Sequence, residues 1–342
     1  LEPERFTADT EPSTLNRTMS RNMLGSEGPD QRRIRRIVEP PFRPRDVEER
    51  TQGMIPKLAN ELIDGFSSRG ECDLFREFAD PMSVRSLRFM LGLDEVPWED
   101  LLRWNEGLML GLANFEGNPA KQAPADEASA DLGDVIGKVL DRVADEPDGS
   151  VLSWMLHQEQ DGERMSREEI VANTKLMLSR GLQEPRDLIA LVVIALGSNP
   201  EQLDEVRADR ALVKAAVEET LRWAGPVGTA TRQTTAETEL SGTELPEGAV
   251  LGAVLSSANR DPRRFTHPDR FDVHRKEGAH LAFAVGNHFC LGAWFGRHLA
   301  RVSLDILLDR LPNLRLNRDA PPTLNGWEFR APDSTRVRWE SA

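Results

Sequence analysis

No tyrosine occurs among the 342 residues, and cysteine occurs only twice, as Cys72 and Cys290. Two cysteines so far apart give no disulfide framework, which excludes the stapled design of small secreted domains and fits a reducing cytoplasm. Apolar runs are short. None approaches the roughly 20 residues needed to span a bilayer, and no signal peptide is visible, so no membrane attachment is expected. Positive charge is in deficit as well: 43 Lys and Arg stand against 57 Asp and Glu, a formal net charge of −14 that argues against nucleic acid as a partner. Aromatic bulk comes from 7 Trp and 13 Phe.

What is present describes a globular chain with a sizeable core. Hydrophobic residues make up 39% and charged residues 29%, and no linker divides the sequence, so one domain is expected. Periodicity predicts helices over Val47–Phe66, Phe75–Leu91, Trp98–Leu112 and Ala128–Asp145, with breaks at Gly92, across 117–125 and at Pro147-Asp148-Gly149. Pro29 and Asp30 suit a helix start and Pro40-Pro41 its end; between them crowd Arg32, Arg33, Arg35 and Arg36. Ser166, followed three residues later by Glu169, makes a capping box for a long apolar helix, Ile170–Leu196, which Gly181-Leu182-Gln183-Glu184-Pro185 interrupts. Short β patterns at Thr238–Leu240, Val250–Leu255 and Arg336–Trp339 complete a mainly α chain with small β-sheets. Leu108, Met109, Leu112 and Phe115 suit either a pocket wall or plain core.

The stretch Phe283 to Gly292 reads F-A-V-G-N-H-F-C-L-G. Gly286 and Gly292 bracket Cys290, with His288 two positions before it. Glycine permits positive φ and leaves no Cβ in the way, so something flat can lie close to the backbone and reach the sulfur. The run Ala293 to Leu308 then has helical periodicity, which puts Cys290 just ahead of a helix N-terminus, where thiolate is favoured over thiol.

This stretch resembles the haem-binding loop of the cytochromes P450: Phe, two residues, Gly, one residue, His or Arg, one residue, Cys, one residue, Gly. Every fixed position is present, with Ala284 where Gly is common and Gly296 where Ala is common. The resemblance implies haem b with Cys290 as axial thiolate, Phe283 beside the sulfur, and Gly286 and Gly292 shaping the loop. It also implies that His288, Arg35 and Arg232 meet haem propionates, with Gln31 where a His is common. Glu219 and Arg222 match the family's Glu-x-x-Arg, Arg270 in Pro268-Asp269-Arg270-Phe271 is expected as the third member of that ion cluster, and Ala258-Asn259-Arg260-Asp261-Pro262 falls where the family carries the same sequence. Residues 1–342 then form a single P450 haem domain lacking the family's front helix and first strands. The remaining arginines, Arg32, Arg33 and Arg36, are expected to present a basic proximal face to an acidic ferredoxin.

In that family the long helix crosses the distal haem face, and its break carries a small residue, Gly, a variable residue, an acid and then Thr. Here Arg180 takes the small residue's place, Gln183 the acid's and Glu184 the threonine's. Glu184 is expected to be the acid–base group, oriented by Gln183, and to make the protein competent with H2O2 as well as O2. The run Gln183-Glu184-Pro185, the pair Asn287-His288 and the ending Gly326-Trp327-Glu328-Phe329-Arg330-Ala331-Pro332 resemble bacterial P450s that O-demethylate small lignin-derived methoxyaromatics. By that resemblance Trp327, Phe329, Val227, Thr229 and Gly181 line the substrate pocket. The expected activity is haem-thiolate O-demethylation to a phenol and formaldehyde in the cytoplasm. Hydroxylation of another small hydrophobic substrate, or non-catalytic ligand sensing, stays open beside it.

Overall fold

The capping box opens the longest helix, Arg167–Gly197, as the sequence predicts. The Ser166 hydroxyl accepts the Glu169 N–H at 3.2 Å, and the Glu169 carboxylate accepts the Ser166 N–H at 2.8 Å. The computed structural model describes residues 2–340. From Ile170 to Leu196 this helix is buried on most of its circumference, the pattern of a helix that threads a core rather than lying on one. Helices Asp80–Leu91, Trp98–Leu112, Pro119–Asp145, Val213–Ala224 and Ala293–Arg310 all pack against it.

The expected interruption at Gly181–Pro185 is not a break. Helical structure runs through Pro185, although proline supplies no N–H for the carbonyl four residues earlier. A neighbouring hydroxyl lies beside the gap. The Ser83 hydroxyl, on Asp80–Leu91, donates to the Leu182 carbonyl at 2.7 Å and lies 3.4 Å from that of Gly181. Gly181 itself faces the same helix, since a Cβ there would stand 2.7 Å from Leu87 Cδ2. Its bare backbone therefore serves helix packing and does not offer the pocket wall expected of it.

Elsewhere the sequence pattern is met with local departures. Trp98–Leu112 forms as predicted, and the arginine-rich helix runs Gly28–Val38 with proline in its first turn. The stretch 47–66 splits into Pro44–Thr51 and Met54–Asp64. Phe75–Ala79 is a π-helical turn feeding Asp80–Leu91, which ends where Gly92 turns left-handed at φ 80°. Pro119–Asp145 begins earlier than expected, because Asn118 caps it by accepting the Ala120 N–H and Pro124 is tolerated near its start. Leu108 and Leu112 are core, whereas Phe115 is exposed.

The β pieces are small and antiparallel. Thr229–Thr234 pairs with Phe6–Thr7 on one side and Val250–Val254 on the other, placing Arg232 opposite Leu251. A second sheet joins Glu71–Asp73, Arg336–Arg338 and Arg315–Leu316, and buries Cys72, whose thiol burial pushes up to about 12. The hairpin of Leu324–Asn325 with Ala331–Pro332 presents the intervening loop, and Phe329 bridges to Val227. Among the described residues no helix is long and apolar enough to cross a membrane.

Replacing Ser83 with Ala removes the bond to the Leu182 carbonyl and the longer contact to that of Gly181. The expected loss is about 0.5–1.5 kcal/mol in denaturant unfolding, with an unchanged slope. A neutral result shows that the proline gap needs no outside donor.

Candidate functional site

The cysteine loop is closed by its own backbone. Cys290 N–H donates to the Phe283 carbonyl at 2.9 Å and Phe289 N–H to the Gly286 carbonyl at 3.0 Å. Closing so tightly forces left-handed backbone at Gly286, φ 75°, and also at Ala284, φ 54°. Gly292 keeps an ordinary φ of −81°, so its missing side chain matters for space and not for turning. Two side chains of the arginine helix hold the loop: Gln31 donates to the Asn287 carbonyl at 2.9 Å, and Arg35 to the Phe289 carbonyl at 2.8 Å while pairing with Glu39. Arg297 stacks 4.3 Å over Phe283 and is bound by Glu218. Burial opposes ionisation of Glu218, yet hydrogen bonds from His280 and Arg297 hold its carboxyl at about 2.

The Cys290 thiol has accessible surface, but it sits in a recess crowded enough for burial to push its pKa up to about 11, against the lowering effect of the Gly292 N–H. The helix N-terminus therefore does not make a thiolate by itself. A metal cation at the sulfur would.

The recess is shaped for a flat anionic group. Gly292 and Gly296 share one face of Ala293–Arg310, and nothing lies within 4 Å of where either Cβ would stand, although Gly296 is buried. Arg232 bonds only to the Thr231 carbonyl and pairs with no carboxylate among the described residues, while burial lowers its pKa. His288 Nε2 is buried without a hydrogen bond, lying 3.0 Å from Glu27 Oε1 but misaligned with it. A thiol at the slot, an arginine without a carboxylate partner and an imidazole beside Glu27 fit haem iron and haem propionates.

The ion cluster behind the loop differs from expectation in one member. Glu219 binds Arg222 through both oxygens, at 2.7 and 2.8 Å, and Arg275 at 3.1 Å. Arg275 is 7% exposed. Arg270, the predicted third member, is exposed and offers only its backbone carbonyl, which accepts from Arg222 and Arg275. The chain turns between the two, with the Asp272 N–H also donating to Glu219, so the arginine five residues later is the one that points inward.

Across the recess the long helix presents Glu184 and Arg180. Their nearest atoms are 3.7 Å apart, and Glu184 Oε2 and Arg180 Nη1 are both buried without a hydrogen-bond partner. Burial raises the Glu184 pKa to about 7, partly countered by Arg180. The Glu184 charge is felt at Cys290, where it disfavours the thiolate. Gln183 makes no hydrogen bond to Glu184, because adjacent helical residues point in different directions. Phe329 lies 4.1 Å under the Arg180 guanidinium, beside Val227, and Thr229 is buried with an unpartnered hydroxyl. Trp327 is 72% exposed and stands clear of this group.

The basic face expected on the arginine helix is largely neutralised. Arg33 is bound by Glu169 and lies 3.7 Å from Glu163, and Arg36 pairs with Asp161 at 3.2 Å. These acids come from the chain around 160–169, which no local pattern assigns to that helix. The sequence reading also missed Asp187, buried beside Glu184 and bonded to Arg186, which reaches Asp80 at 3.1 Å. An acid three residues beyond Glu184 is the signal that was there.

The family model described as Cytochrome P450 matches residues 140–329. The chain is 34% identical over 309 residues to Cytochrome P450 107B1 of Saccharopolyspora erythraea, covering 90% of this chain and 74% of the relative. It is 34% identical over 307 residues to a steroid C26-monooxygenase of Mycolicibacterium smegmatis, covering 90% and 76%. Among solved structures, Cytochrome P450 CYP109Q5 from Chondromyces apiculatus is similar with a TM-score of 0.88 and 29% identity, over 100% of this chain and 87% of the other.

Ala284 has a left-handed backbone that suits glycine, at a cost of about 1 kcal/mol. Replacing Ala284 with Gly should raise stability by about that amount in denaturant unfolding. A loss shows that the methyl group packs usefully in the loop.

Proposed function

The chain belongs to the cytochrome P450 family of haem-thiolate monooxygenases, and on that premise we propose that it O-demethylates a small methoxyaromatic, releasing a phenol and formaldehyde. As in the family, haem b supplies the oxidising chemistry, and O2 is used with electrons from a redox partner such as a ferredoxin and its reductase. The finer assignment rests on this chain's own residues, read as one haem domain working in the cytoplasm. What carries it is the grouping of Phe329 and Val227 with Arg180 and Glu184 over the Cys290 recess. An aromatic wall and a short apolar side chain suit a planar ring, and a carboxyl near its titration point suits proton handling.

The proposed balance is simple. With peroxide, the ether and H2O2 give phenol, formaldehyde and water; with O2, two electrons and two protons enter as well. Glu184 takes a proton from one peroxide oxygen and returns it to the other as the O–O bond breaks. Its pKa of about 7 leaves both forms populated near neutrality. Cys290 would hold the cofactor, with Gln31 and Arg35 keeping the cysteine loop in place, and Arg232 and His288 would anchor the propionates. Val227 and Phe329 orient the ring and exclude water from the reacting carbon.

Replacing Glu184 with Gln keeps size but removes the base, so peroxide-supported formaldehyde release should fall roughly 10²-fold. In the parent protein that rate should climb as pH rises through about 7, since the ionised form is the base. Full activity in Glu184→Gln places the proton path elsewhere. Cys290→Ser should abolish the red-shifted CO band of thiolate ligation, and its survival refutes the cofactor assignment. If CO binds but no methoxyarene yields formaldehyde, the demethylase reading fails.

A further inference from the structure

An arginine inside a substrate recess is hard to justify without something for it to bind. Taking a guanidinium out of water costs several kcal/mol unless it is paired and hydrogen-bonded. Arg180 meets only the first, through its i,i+4 pairing with Glu184. Its Nη1 is buried and bonded to nothing, and Glu184 lies beyond hydrogen-bond reach at 3.7 Å. Its guanidinium carbon lies 4.1 Å from the centroid of the Phe329 ring, a cation–π contact that holds it at the aromatic side chain.

Glu184 is the mirror image, with Oε2 buried and unpartnered. A donor without an acceptor and a carboxyl with a free oxygen thus flank one gap on the same side of the recess. We infer that the ligand of this recess is an anion, a small aromatic carboxylate, whose carboxylate spans the gap, accepting from Arg180 through one oxygen and from the protonated Glu184 through the other. This rests on the demethylase reading for the ring alone, since a Glu184 held by the ligand is not free to shuttle peroxide's proton: the carboxylate is held at the arginine, and the rest of the molecule extends along Phe329 and Val227 toward Cys290.

The arrangement couples ligand binding to a proton. An ionised Glu184 would repel the ligand's carboxylate and compete for Arg180, whereas the neutral acid donates to it. The titratable groups felt at Glu184 are Arg180, Arg186 and Asp187 on its own helix and the Cys290 thiol; Arg180 also faces the half-buried Glu328. Removing Arg180 from Glu184 to serve a ligand takes away the cation that lowers the acid's pKa. Anion binding and protonation of Glu184 therefore favour each other.

The test is equilibrium binding to the holoprotein, read from the haem absorption shift and by calorimetry. 4-Methoxybenzoate is compared with its neutral amide, with 4-methoxyphenol and with 4-ethylbenzoate, which has the carboxylate but no methoxy group. The carboxylates should bind about 10–100-fold more tightly than the amide. Arg180→Gln should erase that preference with the CO spectrum in place, and Arg180→Lys should keep part of it. Affinity for the carboxylates should fall as pH rises through about 7, with proton uptake seen across buffers of different ionisation heat, and Glu184→Gln should flatten that dependence. Equal affinity for acid and amide, or a preference that survives Arg180→Gln, overturns the inference. Arg180-dependent binding of 4-ethylbenzoate without formaldehyde from any methoxyarene leaves the anion site standing and removes the demethylase reading. Turnover of 4-methoxyphenol with no charge preference does the reverse.

Discussion

A slot wide enough for a flat cofactor has to stay open inside an interior that close packing would otherwise fill. Glycines at 292 and 296 make the space, but absence of side chains does not keep walls apart. The walls are held by polar bonds that fix backbone segments to one another. Gln31 and Arg35 grip the cysteine loop at its carbonyls. Glu219 ties Arg222, Arg275 and the Asp272 amide into one buried knot behind it. Removing one partner from such a knot strands a buried charge, which costs more than the knot's net contribution to stability.

The same economy explains the helix over the slot. Proline at 185 would be an unfavourable choice in a buried helix were the freed carbonyl left alone. Ser83 approaches that Gly181 carbonyl at 3.4 Å while bonding the next one, Leu182, at 2.7 Å; the backbone stays helical and the side chains at 180 and 184 keep helical spacing on one face. Regular backbone with unsatisfied side chains is the opposite of what the proline suggests at first. The polar deficit sits on Arg180 and Glu184, where a ligand can answer it, and not on carbonyls, where nothing could.

Local chemistry was legible in the sequence wherever a residue's role depended on its immediate neighbours. The Cys290 loop, the capping box at Ser166 and the stop at Gly92 all follow from residues within a turn or two. Roles that depend on which way a loop folds back were not legible. Arg270 and Arg275 are equally plausible partners for Glu219 on spacing alone, and only the turn between them selects the second. Arg33 and Arg36 read as a free basic face because the acids that neutralise them lie more than a hundred residues away in sequence. Trp327 read as a pocket aromatic, yet its exposed loop holds it clear while Phe329, two residues on, turns inward to Val227.

Glu169 ends up with two unrelated duties. Its carboxylate closes the first turn of the long helix and also clamps Arg33 of the arginine helix. For a drifting gene such a position is doubly bound: a change there opens the helix start and frees a cation in one step, whereas a change at Ser166 or Arg33 does only half of this. The room for neutral variation at Glu169 is therefore narrower than its place near the surface suggests, and compensation would have to arise in two helices at once.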